Sequence, residues 1–203
     1  MTPWMMRRDG VEPEWVGSSY QGKVLGIGSI LKFAQKGDQV WTTGIMRRSD
    51  GPYTKQANYR ALRGPHSAEK VGLLGKVPLG DGALCLPRYY TPKSKPTEPF
   101  GIVPHYIDMP HKREWPIHWL GGELISTLTT DVEEFIDQIY SCQFIESSSL
   151  HGCIVAQAYG IPWKWVRIGN RLSGDDVKFA DFTDSLPHVN IDDLMAARPW
   201  ISK

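Results

Sequence analysis

From Lys23 onward the chain sets short apolar runs against turns that carry glycine or proline. Val24-Leu25-Gly26-Ile27-Gly28-Ser29-Ile30 and Gln39-Val40-Trp41-Thr42-Thr43-Gly44-Ile45 read as buried strands, each feeding a glycine-bearing turn. Residues 58–63 read as a third strand stopped by Gly64-Pro65, and residues 66–71 as a short helix ended by Gly72. Residues 79–86 and 101–103 read as extended, separated by the Pro/Lys/Thr loop 92–99, which has the composition of a boundary or a flap. Beyond Glu123 the alternation is regular: strand 124–127, helix 131–141, strand 144–147, helix 151–159, strand 164–168 and helix 177–185. In the first of these helices Val132, Phe135, Ile136 and Ile139 recur at helical spacing, while Asp131, Glu133 and Glu134 occupy the first turn, where the macrodipole favours negative charge.

Strands alternating with helices predict an α/β fold, a Rossmann-like parallel sheet with helices on both faces. Residues 1–22 follow neither period and read as an irregular arm. Residues 23–186 then form the α/β domain, and 187–203 a C-terminal helix or tail.

Composition narrows the function. With 203 residues, 41% of them hydrophobic, the chain can bury a sizeable core. Its 23 basic and 22 acidic side chains nearly cancel, which argues against nucleic acid or a polybasic membrane surface and for a small or neutral partner. Cys85, Cys142 and Cys153 are too few and too scattered for a disulfide framework or a metal site, and His111 and His118 lack the companions a zinc centre needs. The expectation is a cytoplasmic protein without a metal, and the opening residues read as neither a signal peptide nor a membrane span. Gly26-Ile27-Gly28-Ser29 lacks the third glycine and the acidic residue of a dinucleotide fingerprint, so no cofactor is expected. Gly28 and Ser29 stay open as a tight turn or a close approach to a ligand.

Three constellations carry candidate chemistry. The turn Ser147-Ser148-Ser149-Leu150-His151-Gly152 joins a strand to a helix, where backbone N–H groups and the positive dipole end suit a phosphate or carboxylate. Ser148 and Ser149 add hydroxyls and His151 a proton carrier, with plain helix capping as the alternative. Arg63, at a strand end, suits a bidentate anion clamp or a salt bridge. His105 lies where a strand meets a loop, with Tyr106 and Asp108 beside it, and Lys178 can reach an anion from a helix that otherwise serves only as a solvated surface.

The order of these segments resembles the polysaccharide pyruvyl transferase family: Val24 to Ile30, Val40-Trp41-Thr42-Thr43-Gly44, Ala61-Leu62-Arg63-Gly64-Pro65, Gly80-Asp81-Gly82-Ala83, Ile102 to Asp108, Ser147 to Gly152, Ala158-Tyr159-Gly160-Ile161-Pro162 and Lys178-Phe179. The resemblance covers residues 23–186. It implies the C-terminal part of a GT-B type fold, phosphoenolpyruvate as donor, and a sugar or lipid-linked saccharide as acceptor, the latter bringing the protein to the periphery of a membrane. It also implies that Arg63 holds the donor and that His151 is catalytic. Some members carry arginine immediately before the Leu-His pair. Ser149 stands there instead, leaving Arg63, backbone N–H groups, Arg88 or Lys178 to meet the donor's charge. Nothing in residues 1–22 resembles the family's N-terminal domain, so the expectation is a form without it, its cleft completed by another copy or a partner chain. The competing readings are a glycosyltransferase using a nucleotide sugar and a truncated, non-catalytic remnant that binds an anion or a partner.

Overall fold

Helix formation is clearest where local signals agree. The helix read at 131–141 runs from Val132 to Tyr140, because the Asp131 carboxylate accepts the Glu133 and Glu134 N–H groups at 3.0 Å and buries Phe135, Ile136 and Ile139 on one face. The computed structural model describes residues 1–93 and 95–201; Ser94, in the Pro/Lys/Thr loop, and Ser202 and Lys203, in the expected tail, lie outside the described residues. The fold is α/β, with helices flanking two parallel sheets. The chain divides into two compact units, one formed by Met1–Cys85 with Gly174–Lys203 and the other by Leu86–Ser173.

In the first unit the strands β1 (Val24–Leu25), β2 (Gln39–Trp41) and β3 (Asn58–Ala61) pair in parallel in chain order. Leu62 adds a parallel bridge to Leu79. Leu25, Val40, Leu62 and Val177 share one apolar core with Leu31 and Ile45. Residues 2–8, expected to be irregular, form helix α1 (Thr2–Arg8). Pro3 fits its first turn, Arg7 and Arg8 suit its last, and Met5 is fully buried. One buried side chain in seven residues leaves no repeat for a pattern to reveal. Residues 82–88, expected to be extended, curl into a 3-10 helix because Asp81 accepts the Ala83 N–H on Oδ1 and the Leu84 N–H on its carbonyl, both at 3.0 Å. Helices α2 (Pro65–Val71), α5 (Val177–Thr183) and α6 (Ile191–Ala196) complete the unit. Both chain ends enter it: Arg198 Nη1 donates to both Asp9 oxygens at 2.6 and 2.7 Å, and Trp41 Nε1 donates to the Leu194 carbonyl at 3.0 Å.

The second unit has β4 (Gly101–Val103), β5 (Glu123–Leu124), β6 (Ile145–Ser147) and β7 (Trp163–Trp165), all parallel, in the order β5-β4-β6-β7. Helix α3 (Val132–Tyr140) links β5 to β6, and α4 (Leu150–Ala158) links β6 to β7. The chain steps to one side from β4 to β5 and to the other from β6 to β7, so its direction reverses between β4 and β6. Ile102, Trp115, Trp119 and Ile168 form a core cluster. Glu146, buried on β6, anchors the 3-10 stretch Ile117–Gly121 by accepting from Trp119 Nε1 at 2.6 Å and pairing with His118 Nε2 at 2.9 Å. Burial pushes its carboxyl up, but the hydrogen bonds from Trp119 and His118 outweigh that and hold it below its ordinary range.

Gly152 sets how closely α4 packs. A Cβ at 152 would meet Ser147 Oγ and come within 2.8 Å of the Val103 Cβ, a β-branched side chain fixed in its strand. Gly152→Ala is expected to lower stability by about 1–3 kcal/mol in chemical denaturation. An unchanged midpoint and slope would show that the helix shifts without strain.

Candidate functional site

In open parallel sheets, ligands bind outside the carboxyl ends of strands where the strand order reverses. Here those ends are Val103 of β4 and Ser147 of β6, paired in register. The chain leaves β4 into Pro104-His105 and leaves β6 into Ser148-Ser149, and the two exits are tied together. The His105 backbone N–H donates to Ser148 Oγ at 2.9 Å, and that hydroxyl donates to Asp108 Oδ2 at 2.7 Å. His105 Nδ1 accepts the Ile107 N–H at 3.3 Å, which in the neutral ring leaves the proton on Nε2. Ser147 Oγ accepts the Ser149 N–H at 3.0 Å and lies 2.7 Å from both the Val103 and Ser149 carbonyls.

Helix α4 starts from this knot. Ser149 occupies its N-cap with extended backbone, φ −96° and ψ 130°, yet its side chain makes no capping hydrogen bond. The serines therefore do not act as the caps that such a run usually supplies; Ser148 and Ser149 are buried and His151 is partly exposed in the first turn. First-turn N–H groups have no partner within a helix, so this end is suited to an anion. The unit's two other relevant side chains are Asp108, fully buried, and Arg171 beyond β7. Cys153, one turn into α4, has its thiol pushed up to about 12 by burial, which makes it a packing residue rather than a nucleophile.

The first unit gathers another set of the expected residues. Arg63 is fully buried and all three guanidinium nitrogens are engaged: Nε with Asp181 Oδ2 at 3.0 Å, Nη1 with Ser29 Oγ at 2.6 Å and Nη2 with the Ile45 carbonyl at 2.7 Å. Asp181 also accepts from Ser67, on Oδ1 from the backbone N–H at 2.9 Å and on Oδ2 from the hydroxyl at 2.5 Å. Gly44 admits the guanidinium, since a Cβ there would stand 2.6 Å from Nε. Gly28, at φ 132°, accepts from Thr43 Oγ1 at 2.6 Å and from the Gly44 N–H at 3.0 Å. Arg63, Gly28 and Ser29 are thus brought together. Lys178 is buried on α5, with its ammonium 5.3 Å from the Phe179 ring centre. His151, Ser148, Ser149 and His105 belong to the other unit.

Asp81 adds a titration. Burial pushes its carboxyl up to about 6, and Oδ2 has no hydrogen-bond partner among the described residues. The folded state then holds this proton more tightly than the unfolded chain, so the contribution of Asp81 is a loss of stability as pH rises from about 4 to about 6. Asp81→Asn is expected to remove that segment of the curve. The difference between wild-type and variant urea midpoints across this range checks it, and parallel curves would refute it.

Sequence reasoning left out Asp181 and Arg171, and it named Asp108 only as a neighbour of His105. The Arg63–Asp181 pair spans 118 positions, which no local signal bridges. Among the described residues no group of three His, Cys, Asp or Glu is placed to hold a metal ion, and no helix is long and apolar enough to cross a membrane. The three cysteines are buried and form no disulfide.

No family model matches the chain, and no solved structure matches it. A curated relative, an uncharacterized protein of Acanthamoeba polyphaga mimivirus, is 33% identical over 167 residues, covering 77% of this chain. The matched part is 57% of that protein, so the chain spans little more than half the length of this relative.

Proposed function

We propose that this protein transfers the pyruvyl group of phosphoenolpyruvate to a sugar of a polysaccharide or its precursor, forming a pyruvate ketal. The observation that carries the reading is the start of α4 at the reversal between β4 and β6, with no side-chain cap on its first turn and with Ser148, Ser149 and His151 around it. The donor carries a phosphate and a carboxylate, and helix N–H groups with the Ser149 hydroxyl suit either, while Ser148, whose proton goes to Asp108 Oδ2, holds the turn in place. Arg63, with its three nitrogens engaged, acts in this reading by holding Ser29 and the Ile45 carbonyl in place.

His151 protonates the methylene carbon of the enol phosphate, leaving an oxocarbenium-like centre at the adjacent carbon. One sugar hydroxyl attacks that carbon and releases its proton. The carbon–oxygen bond to phosphate then breaks, inorganic phosphate leaves, and a second hydroxyl closes the ketal with loss of another proton. Positioned proton donors contribute about 10²–10⁴-fold to such steps. Three buried cysteines without a disulfide suit a reducing cytoplasm. A lipid-linked acceptor would place the work beside a membrane.

Thermal shifts with phosphoenolpyruvate against nucleotide sugars, followed by phosphate release with a panel of sugar acceptors, test this function. Stabilisation by phosphoenolpyruvate and acceptor-dependent phosphate release are expected. Stabilisation by nucleotide sugars alone would make the protein a glycosyltransferase, and a response to neither would make it a non-catalytic binder. Activity restored only by a second polypeptide would assign the missing part of the site to that chain.

A further inference from the structure

We propose that Asp108 and Arg171 form a subsite for carbohydrate hydroxyls, the acceptor side of the pyruvyl transfer proposed above, on which this assignment rests. Asp108 follows β4 and Arg171 follows β7, so both lie beyond the carboxyl ends of strands in the sheet that positions α4. Asp108 is fully buried. Its Oδ2 takes the Ser148 hydroxyl, while Oδ1 has no hydrogen-bond partner among the described residues. The Asp108 carbonyl accepts Trp115 Nε1–H at 3.0 Å, which fixes the backbone. Arg171 gives Nη1 to Glu114, 2.9 Å from Oε1 and 2.8 Å from Oε2. Its other edge, Nε and Nη2, is buried and likewise has no hydrogen-bond partner among the described residues. Nε stands 4.0 Å from Asp108 Oδ1, an electrostatic contact beyond hydrogen-bonding range.

The three atoms specify their ligand. The Nε/Nη2 edge of a guanidinium grips a carboxylate or phosphate well in isolation. Here Asp108 and Glu114 already place two carboxylates on one guanidinium, and a third anion would meet net negative charge. What satisfies all three atoms is a group that accepts from arginine and donates to a carboxylate, and a hydroxyl does both. Two adjacent N–H donors beside one acceptor suit a diol, the functional group that ketal formation consumes. Gly169, at φ 57°, keeps side chains off Nη2, since a Cβ there would stand 3.1 Å from it. A buried water would satisfy the same atoms, and it predicts no response to sugar.

The full chain is titrated with methyl β-galactopyranoside, methyl β-glucopyranoside and inorganic phosphate, following the Arg171 Nε–H resonance by NMR. Arg171→Lys assigns that resonance by its disappearance. Millimolar glycoside is expected to move it and phosphate to leave it in place. Asp108→Asn, which retains an acceptor for Ser148, is expected to weaken glycoside binding by about tenfold or more. Should that variant not fold, Arg171→Lys, which keeps the charge facing Glu114 but loses the planar edge, is expected to show the same weakening by calorimetry. Movement by phosphate alone, no movement by either glycoside, or affinity unchanged in the folded variants would overturn the subsite. Glycoside binding that needs both residues in a protein that releases no phosphate from phosphoenolpyruvate would retire the reaction and keep the subsite. Phosphate release with glycoside affinity indifferent to both substitutions would do the reverse.

Discussion

Arg63→Ala is expected to cost about 3–5 kcal/mol of folding free energy, the range for breaking a buried ion pair on one side. The loss comes less from the attraction removed than from what stays behind. Asp181 is fully buried, and without Arg63 its carboxylate keeps, among the described residues, the two bonds from Ser67. Ser29 Oγ and the Ile45 carbonyl lose their donor in the same step. The urea midpoint should fall steeply with little change in slope. A loss under about 1 kcal/mol would show that water or a neighbouring cation reaches Asp181 and that the pair is not sealed. Because folding is at stake, reduced phosphoenolpyruvate binding by this variant counts toward a donor role only under conditions where it remains folded.

Under the proposed pyruvyl transfer, His151→Ala is expected to lower phosphate release from phosphoenolpyruvate by about 10²–10⁴-fold, the weight of one positioned proton donor. Stability should stay within about 0.5 kcal/mol of wild type, because the residue is partly exposed and packing of the helix rests on Leu150, Ile154 and Val155. The combination distinguishes a chemical role from a structural one. Ketal formation at the wild-type rate would remove His151 from the mechanism, and a large fall in melting temperature would make it a packing residue.

The contrast between these two residues marks how far the sequence could be read. Helix α3 was legible because its apolar period, its Asp131 cap and its acidic first turn all coincide within ten residues. The turn at Ser147–Gly152 was legible for the same reason, a strand run ending where a helical run begins. The reversal of strand order between β4 and β6 was not, since pairing in a parallel sheet is set by contacts distant in sequence. The 3-10 turn at 82–88 escaped because it rests on two contacts of Asp81 rather than on a period. Arg63 was recognised as an arginine at a strand end, but its burial depends on Asp181, which lies on the last third of the chain. Arg171 sits among loop residues with no periodic neighbour, and only its three-dimensional pairing with Glu114 and Asp108 singles it out.

The interleaving of the two ends of the chain bears on how the protein is made. Leu86–Ser173 is one continuous stretch, so its four-stranded sheet can close as soon as that stretch has left the ribosome. The first unit must wait. Its earliest residues are synthesised well before their partners, since Trp41 pairs with Leu194 across 153 positions and Asp9 with Arg198 across 189. During that interval Leu25, Val40 and Leu62 lack Val177, the late-synthesised member of their core, which makes residues 25–62 the stretch most exposed to water before the unit closes.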